Sequence, residues 1–293
     1  MRVGVLDVGS NTIRLLVATV ERGELVPLGQ EKVRLSLGEE IERLGAVSDL
    51  HVAEAAKAVR KLSRTARDLR VESLDVFLTA PGRQSGNADE LVTALARAAC
   101  VPVRVLSTDE EGRLAYGGAI ATAPVDLDDR VSVCDVGGAS TEIAVGSPGG
   151  EPDWVASVAL GSVRLTARLL DGDKVTANDL EAARTEVEAA FADVVPPVAE
   201  TALAVGGSAR AARRLVGPVL GREQLAEALR LVATKHPRTI ARRYGVDRGR
   251  ARILPGGLVL LAEVQRLLRV PLHVCDGGIR EGAVLASVET LAA

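Results

Sequence analysis

Aromatic side chains are almost missing: two phenylalanines, two tyrosines and one tryptophan in 293 residues. Any core must therefore be built from Val, Leu, Ile and Ala, a composition that suits buried parallel strands and the helices covering them. Histidine is as scarce. His51, His236 and His273 are scattered, which leaves His-based metal sites and His-dependent nucleophiles without support. The three cysteines, Cys100, Cys134 and Cys275, stand in separate apolar contexts without metal-ligand spacing and read as buried reduced thiols. Neither charge sign dominates: 39 acidic against 36 basic residues leave a net charge of −3. The chain as a whole has no pull towards nucleic acid or membranes, and an anion site must be local. No apolar run is long enough to span a bilayer, and Met1 leads straight into a strand pattern without a signal-like region. The expectation is a cytoplasmic protein with neither nucleic-acid nor membrane partners.

What the sequence does have is a repeated glycine hairpin. Val131-Ser132-Val133-Cys134 reads as a buried strand, Asp135-Val136-Gly137-Gly138-Ala139-Ser140-Thr141-Glu142 follows as a loop, and Ile143-Ala144-Val145 reads as the next strand. Glycines and hydroxyl residues expose backbone N–H donors with little side chain in the way, so phosphate can approach closely. The carboxylates of Asp135 and Glu142 stand at the two ends, where they could hold Mg²⁺. The same plan opens the chain: Val3-Gly4-Val5-Leu6, then Asp7-Val8-Gly9-Ser10-Asn11-Thr12, then Ile13. Two such units suggest two similar α/β domains facing one cleft, with the boundary in the turn-rich crossing Pro124–Arg130, so domains of 1–125 and 126–293. The terminal helix can pack back on the first domain.

Between the loops, strands 2–6, 13–20 and 25–33 form a meander, and Ser48 caps a helix over 50–69. Strand 74–80 ends in the loop Thr79–Asn87. Arg83 on that loop stands where open α/β sheets place ligand-binding groups, and a guanidinium can hold phosphate oxygens as a fork. Ser107 or Thr108 caps the next helix. Glu110 and Glu111 in its first turn fit a capping arrangement first and a general base second. In the second half, Gly206-Gly207-Ser208 forms a loop between strand 202–205 and helix 209–215, where helix N–H groups can meet an anion. Pro255-Gly256-Gly257 opens an apolar helix over 258–268, and strand 272–275 leads to Asp276-Gly277-Gly278 and a terminal helix.

With these motifs in order, the chain resembles the exopolyphosphatase and guanosine pentaphosphate phosphohydrolase family of the actin and sugar-kinase superfamily. The resemblance runs along nearly the whole chain, through Asp7–Asn11, Thr79…Arg83…Asn87, Glu110–Arg113, Asp135–Glu142, Leu160–Leu165, Gly206–Ser208, Leu254–Gly257 and Asp276–Gly282. It implies two actin-like (ribonuclease H-like) α/β domains, each with a mixed central sheet. It also implies that Glu111 is the catalytic base and that Asp7, Asp135 and Glu142 are the metal-linked carboxylates. Ser10, Asn11, Arg83, Gly137, Gly138, Ser140, Thr141, Gly207 and Ser208 become phosphate-binding positions. Mg²⁺ or Mn²⁺, with an optional monovalent cation, is the implied cofactor, and a homodimer the implied assembly.

The function expected from this resemblance is release of terminal orthophosphate from inorganic polyphosphate, including short chains. Guanosine pentaphosphate is the alternative substrate. An ATP-dependent kinase or ATPase and a non-catalytic polyphosphate or alarmone sensor are the competing classes. Two features depart from the family: Ala139 stands where a third glycine is usual, and the chain stops soon after Gly282, without the C-terminal helical region of larger relatives.

Overall fold

Apolar residues run consecutively through the first hairpin, Val5-Leu6 and Leu15-Leu16-Val17 among them, and every residue of β1 (Arg2–Val8) from Val3 to Leu6 is buried. The computed structural model describes residues 1–170, 172 and 174–292. By contacts the chain divides into two units, Met1–Ala121 with Ile279–Ala293, and Thr122–Gly278. Each is built around one mixed sheet.

In the first unit β1 is followed by β2 (Thr12–Glu21), β3 (Glu24–Arg34), α1 (Leu37–Leu44), α2 (Asp49–Asp68), β4 (Ser73–Leu78), α3 (Ala80–Gln84), α4 (Ala88–Ala99), β5 (Val103–Val105) and α5 (Thr108–Ile120). The sheet order is β3-β2-β1-β4-β5, antiparallel across the meander and parallel from β1 to β5. Leu6, Val8, Leu15 and Val17 bury one sheet face beneath α2 and α4, through Val59, Leu62, Leu91 and Leu95. Val3, Val5, Leu16 and Phe77 bury the other face, where Ala283 and Val284 of the terminal helix also pack. Strand alternation thus supplies two hydrophobic layers from one set of strands.

The second unit repeats the plan. It contains β6 (Val131–Val136), β7 (Thr141–Gly146), β8 (Pro152–Val158), α6 (Ser162–Leu169), α7 (Ala177–Ala190), β9 (Thr201–Val205), α8 (Gly206–Val216), β10 (Val219–Leu220), α9 (Arg222–Thr234), α10 (Pro237–Tyr244), α11 (Arg248–Leu268) and β11 (Leu272–Val274). The chain then ends in α12 (Ile279–Ala292), which belongs to the first unit. The order β8-β7-β6-β9-β11 has the same pairing directions as the first sheet, with β10 added at the edge. No helix among the described residues is long and apolar enough to cross a membrane.

Four local expectations change. Thr79–Asn87 holds a short helix, α3, rather than an open loop; Pro81 at its start presets the helical φ angle. Gly206-Gly207-Ser208 is no separate loop but the first turn of α8. The helix expected after Pro255 begins seven residues before it, at Arg248. Proline inside a helix removes one hydrogen bond, and close packing against neighbours offsets that loss here. A Cβ on Gly256 would stand 2.9 Å from Thr166 Oγ1, and one on Gly257 2.5 Å from Ser208 Oγ. The Pro-Gly-Gly segment lets α11 press against the first turns of α6 and α8. Finally, Cys100 is exposed rather than buried, because it closes α4 at the surface in the left-handed conformation (φ 60°).

Candidate active site

In the first unit the loop after β1 is closed by a hydrogen bond from Gly9 N–H to Thr12 O, 3.1 Å. Asp7 on β1 faces Arg14 on β2 across the antiparallel ladder, and Arg14 Nε donates to Thr12 Oγ1 at 3.1 Å. Ser10 and Asn11 are buried. Their carbonyls are held from behind: Gly38 N–H donates to Ser10 O at 2.6 Å, and the N–H groups of Leu35 and Ser36 donate to Asn11 O at 3.2 and 3.3 Å. The loop backbone is thus pinned by the segment entering α1.

Parallel pairing of β1 with β4 brings the end of β4 and the start of α3 beside this loop, and Thr79 N–H donates to Val8 O at 3.2 Å. Arg83 on α3 reaches α5. Its Nη1 donates to Leu106 O at 2.6 Å and forms a short hydrogen-bonded ion pair with Glu111. Nη2 of the same guanidinium is buried and has no hydrogen-bond partner among the described residues.

The two glutamates opening α5 divide the work between them. Glu110 Oε2 accepts from Ser107 N–H at 2.7 Å while Ser107 Oγ accepts from Glu110 N–H at 3.1 Å, a complete capping box. These bonds, the Ser107 backbone first, hold the Glu110 carboxyl below its ordinary range against some desolvation. Glu111, one residue on and about 100° around the helix, is 3% exposed and points at Arg83.

In the second unit the corresponding loop closes with the same bond, Gly137 N–H to Ser140 O at 3.0 Å. The start of α6 holds it: Ser162 N–H and Oγ both donate to Gly137 O at 2.9 Å, and Val163 and Arg164 N–H donate to Gly138 O at 2.8 and 3.1 Å. A Cβ on Gly161 would collide with the Gly138 carbonyl. The N–H groups of Gly138, Ala139 and Ser140 donate to no backbone carbonyl among the described residues, which leaves a row of donors of the kind that cradles phosphate. Ala139 is not among the residues with positive φ, so its methyl sits without backbone strain. The Thr141 hydroxyl is committed to Leu160 O at 2.8 Å.

Asp135 and Glu142 are direct cross-strand partners on β6 and β7. Facing carboxylates repel unless a cation or hydrogen-bond donors compensate. Glu142 is 3% exposed and accepts from Ser157 Oγ on β8 at 2.9 Å. Asp135 Oδ1 occupies the space that a side chain on Gly206 would need, and Gly206 has φ +87°. A hard cation fits this donor set, since Mg²⁺ takes one or two carboxylates and completes its shell with water and phosphate oxygens. No group of three or more His, Cys, Asp or Glu among the described residues is gathered to hold a metal unaided.

Gly207 lies under the guanidinium of Arg250, a neighbour the sequence motifs did not flag; its spacing from Pro255 on one continuous helix was the available clue. Ser208 is fully buried against α11, and its hydroxyl has no partner among the described residues. Asp276 is held by a bidentate pair with Arg213, at 2.8 and 3.1 Å, which keeps its carboxyl below the ordinary range, and Gly277 N–H donates to Thr122 Oγ1 at 3.1 Å.

Clustered backbone donors, a facing carboxylate pair and a sequestered glutamate suit transfer of phosphoryl groups, and they put the chain among α/β enzymes of phosphate chemistry. Residues 16–291 match the model of the Ppx/GppA phosphatase family, and the chain belongs to that family of phosphohydrolases. Exopolyphosphatase 1 of Mycobacterium tuberculosis is 28% identical over 308 residues, covering 99% of this chain and 89% of the relative. An uncharacterised protein of Streptomyces coelicolor is 30% identical over 307 residues, covering 99% and 91%. The crystal structure of an Aquifex aeolicus Ppx/GppA family member superposes with a TM-score of 0.84 at 23% identity, over 100% of this chain and 99% of that one. The fold is the family's pair of actin-like α/β domains.

Proposed function

We propose that this phosphohydrolase releases terminal orthophosphate from inorganic polyphosphate, with Glu111 as the base that orients and deprotonates the attacking water. The observation that carries this reading is the Glu111–Arg83 pair. A carboxylate beside a polyanionic substrate needs a countercharge, and Arg83 supplies it while its Nη2 remains for a phosphate oxygen. The free N–H groups of Gly138, Ala139 and Ser140 are the donors suited to a terminal phosphate, and the loop of Ser10 and Asn11 is the matching loop of the first unit. Asp135 and Glu142 would hold Mg²⁺ or Mn²⁺, which when bound neutralises charge on the phosphate oxygens; Asp7 stands at the matching place in the loop of the first unit.

Phosphate release from polyphosphates of defined length, guanosine pentaphosphate and ATP, each with Mg²⁺, tests the reading. Release from polyphosphate that collapses at least ~100-fold in Glu111→Gln supports it. Turnover that survives Glu111→Gln removes Glu111 as the base, and a preference for guanosine pentaphosphate or ATP replaces the substrate.

A further inference from the structure

The second unit contains a cavity of about 570 Å³ between α7, α9 and the C-terminal half of α11. None of its lining residues belongs to the glycine loops or to the Arg83–Glu111 pair. Its volume falls in the range of small-molecule sites. The floor is aliphatic, formed by the buried side chains of Val187, Leu225, Leu229 and Val259. No aromatic residue lines it, so nothing there offers a stacking surface for a nucleobase.

The rim is cationic. Arg184, Arg222, Arg266 and Arg269 border the opening, against the two carboxylates Glu188 and Glu263. Glu263 is already neutralised: it is 6% exposed, and its carboxylate accepts from Arg266 Nε and Nη2 at 2.8 and 2.7 Å. Among the described residues the Arg184 guanidinium has only a long contact to Glu181, at 3.4 Å. The guanidinium groups of Arg222 and Arg269 have no hydrogen-bond or ion-pair partner among the described residues. A local cationic excess over an apolar floor, in a chain of net charge −3, is a complementary surface for one chemistry.

We propose that this cavity binds an amphipathic anion, with an aliphatic body lying over Val187, Leu225, Leu229 and Val259 and a single carboxylate or phosphate head on the arginine rim. The site is separate from the phosphohydrolase reading and stands or falls without it.

Two rim substitutions remove charge without weakening the fold. Arg222 is the first residue of α9, where glutamate suits the helix dipole. Arg269 ends α11 at φ 62°, where glycine is the residue of least strain. Ala226, exposed at the cavity on α9, takes a tryptophan that fills it. Isothermal titration of the intact protein with dodecanoate and with dodecyl phosphate, below their micelle concentrations, is expected to show one site per chain. Arg222→Glu with Arg269→Gly, and separately Ala226→Trp, should each weaken it about tenfold or more while melting temperatures hold. The ratio of the two probes assigns the head group. The proposal is overturned by absence of saturable binding, by binding that survives both variants, or by equal binding of inorganic phosphate or of dodecanol, since these would remove the floor or the rim from recognition.

Discussion

Arg83, half-buried, and the buried Glu111 form an ion pair in which a single guanidinium nitrogen serves both the Glu111 carboxylate and the Leu106 carbonyl. The pair ties α3, which follows β4, to the first turn of α5, and it sets the orientation of the carboxylate assigned as base. Removing one partner of such a pair leaves the other charge buried alone, at a typical cost of ~3–5 kcal/mol.

Arg83→Met is therefore expected to lose stability by roughly 2–4 kcal/mol, discounted because Arg83 keeps some solvent access. Glu111→Gln retains a hydrogen-bond acceptor for the guanidinium and should lose less than about 2 kcal/mol. Both should reduce phosphate release at least ~100-fold. Urea melts and single-turnover phosphate release, run on the same preparations, separate the two effects. Equal destabilisation by both substitutions would show that the pair contributes no net charge balance.

The Asp135–Glu142 arrangement yields a metal prediction. With EDTA present, Asp135→Asn and Glu142→Gln relieve repulsion between facing carboxylates and should melt no lower than wild type. Addition of Mg²⁺ should raise the melting temperature of wild type, by linkage of binding to folding, and should do so far less in either variant. A Mg²⁺ response that is unchanged in both variants would move the metal elsewhere.

Gly161 and Ala139 lie on the two sides of one close approach and should respond oppositely. Gly161→Ala forces a methyl into the Gly138 carbonyl, with an expected loss of about 3 kcal/mol and of phosphate release. Ala139→Gly adds only backbone freedom and should change stability by less than about 1 kcal/mol. Thermal melts of the two variants, with phosphate-release assays, test the pair.

Acid sensitivity should depend in part on Glu40. Burial pushes its carboxyl up, but hydrogen bonds from Ser48 and His51 outweigh that and hold it below the ordinary value of 4.5. A depressed carboxyl contributes stability that is fully present above about pH 4.5 and is lost as pH falls through the lower folded value. The stability gap between wild type and Glu40→Gln in urea should thus be widest near neutral pH and shrink below pH 4.5. A gap that is constant with pH would assign the contribution to packing alone.

The duplicated hairpin was legible in the residues because it is local. Strand alternation, Asp-Val-Gly and a short polar turn lie within a dozen positions, and the shared Gly9–Thr12 and Gly137–Ser140 bonds follow from that spacing. So was the capping of α2 and α5, where Ser48 and Ser107 each accept from a backbone N–H three residues on. The helix through Pro255 was not legible, because a local rule against interior proline is overridden by contacts with Thr166 and Ser208 from distant segments. Nor was the exposure of Cys100, whose apolar neighbours gave no sign that it closes a helix at the surface.

By itself, then, the amino-acid sequence determined the strands, the caps, the two glycine loops and the carboxylates standing at their ends, since each depends on periodicity or on groups a few residues apart. Only the tertiary structure decided which of Glu110 and Glu111 caps and which turns inward, and that Arg83 is the inward one's partner. It also decided that Arg250 covers Gly207 and that four arginines ring one cavity. Those choices rest on side-chain direction and on contacts between segments far apart in the chain, and they form only when the elements pack.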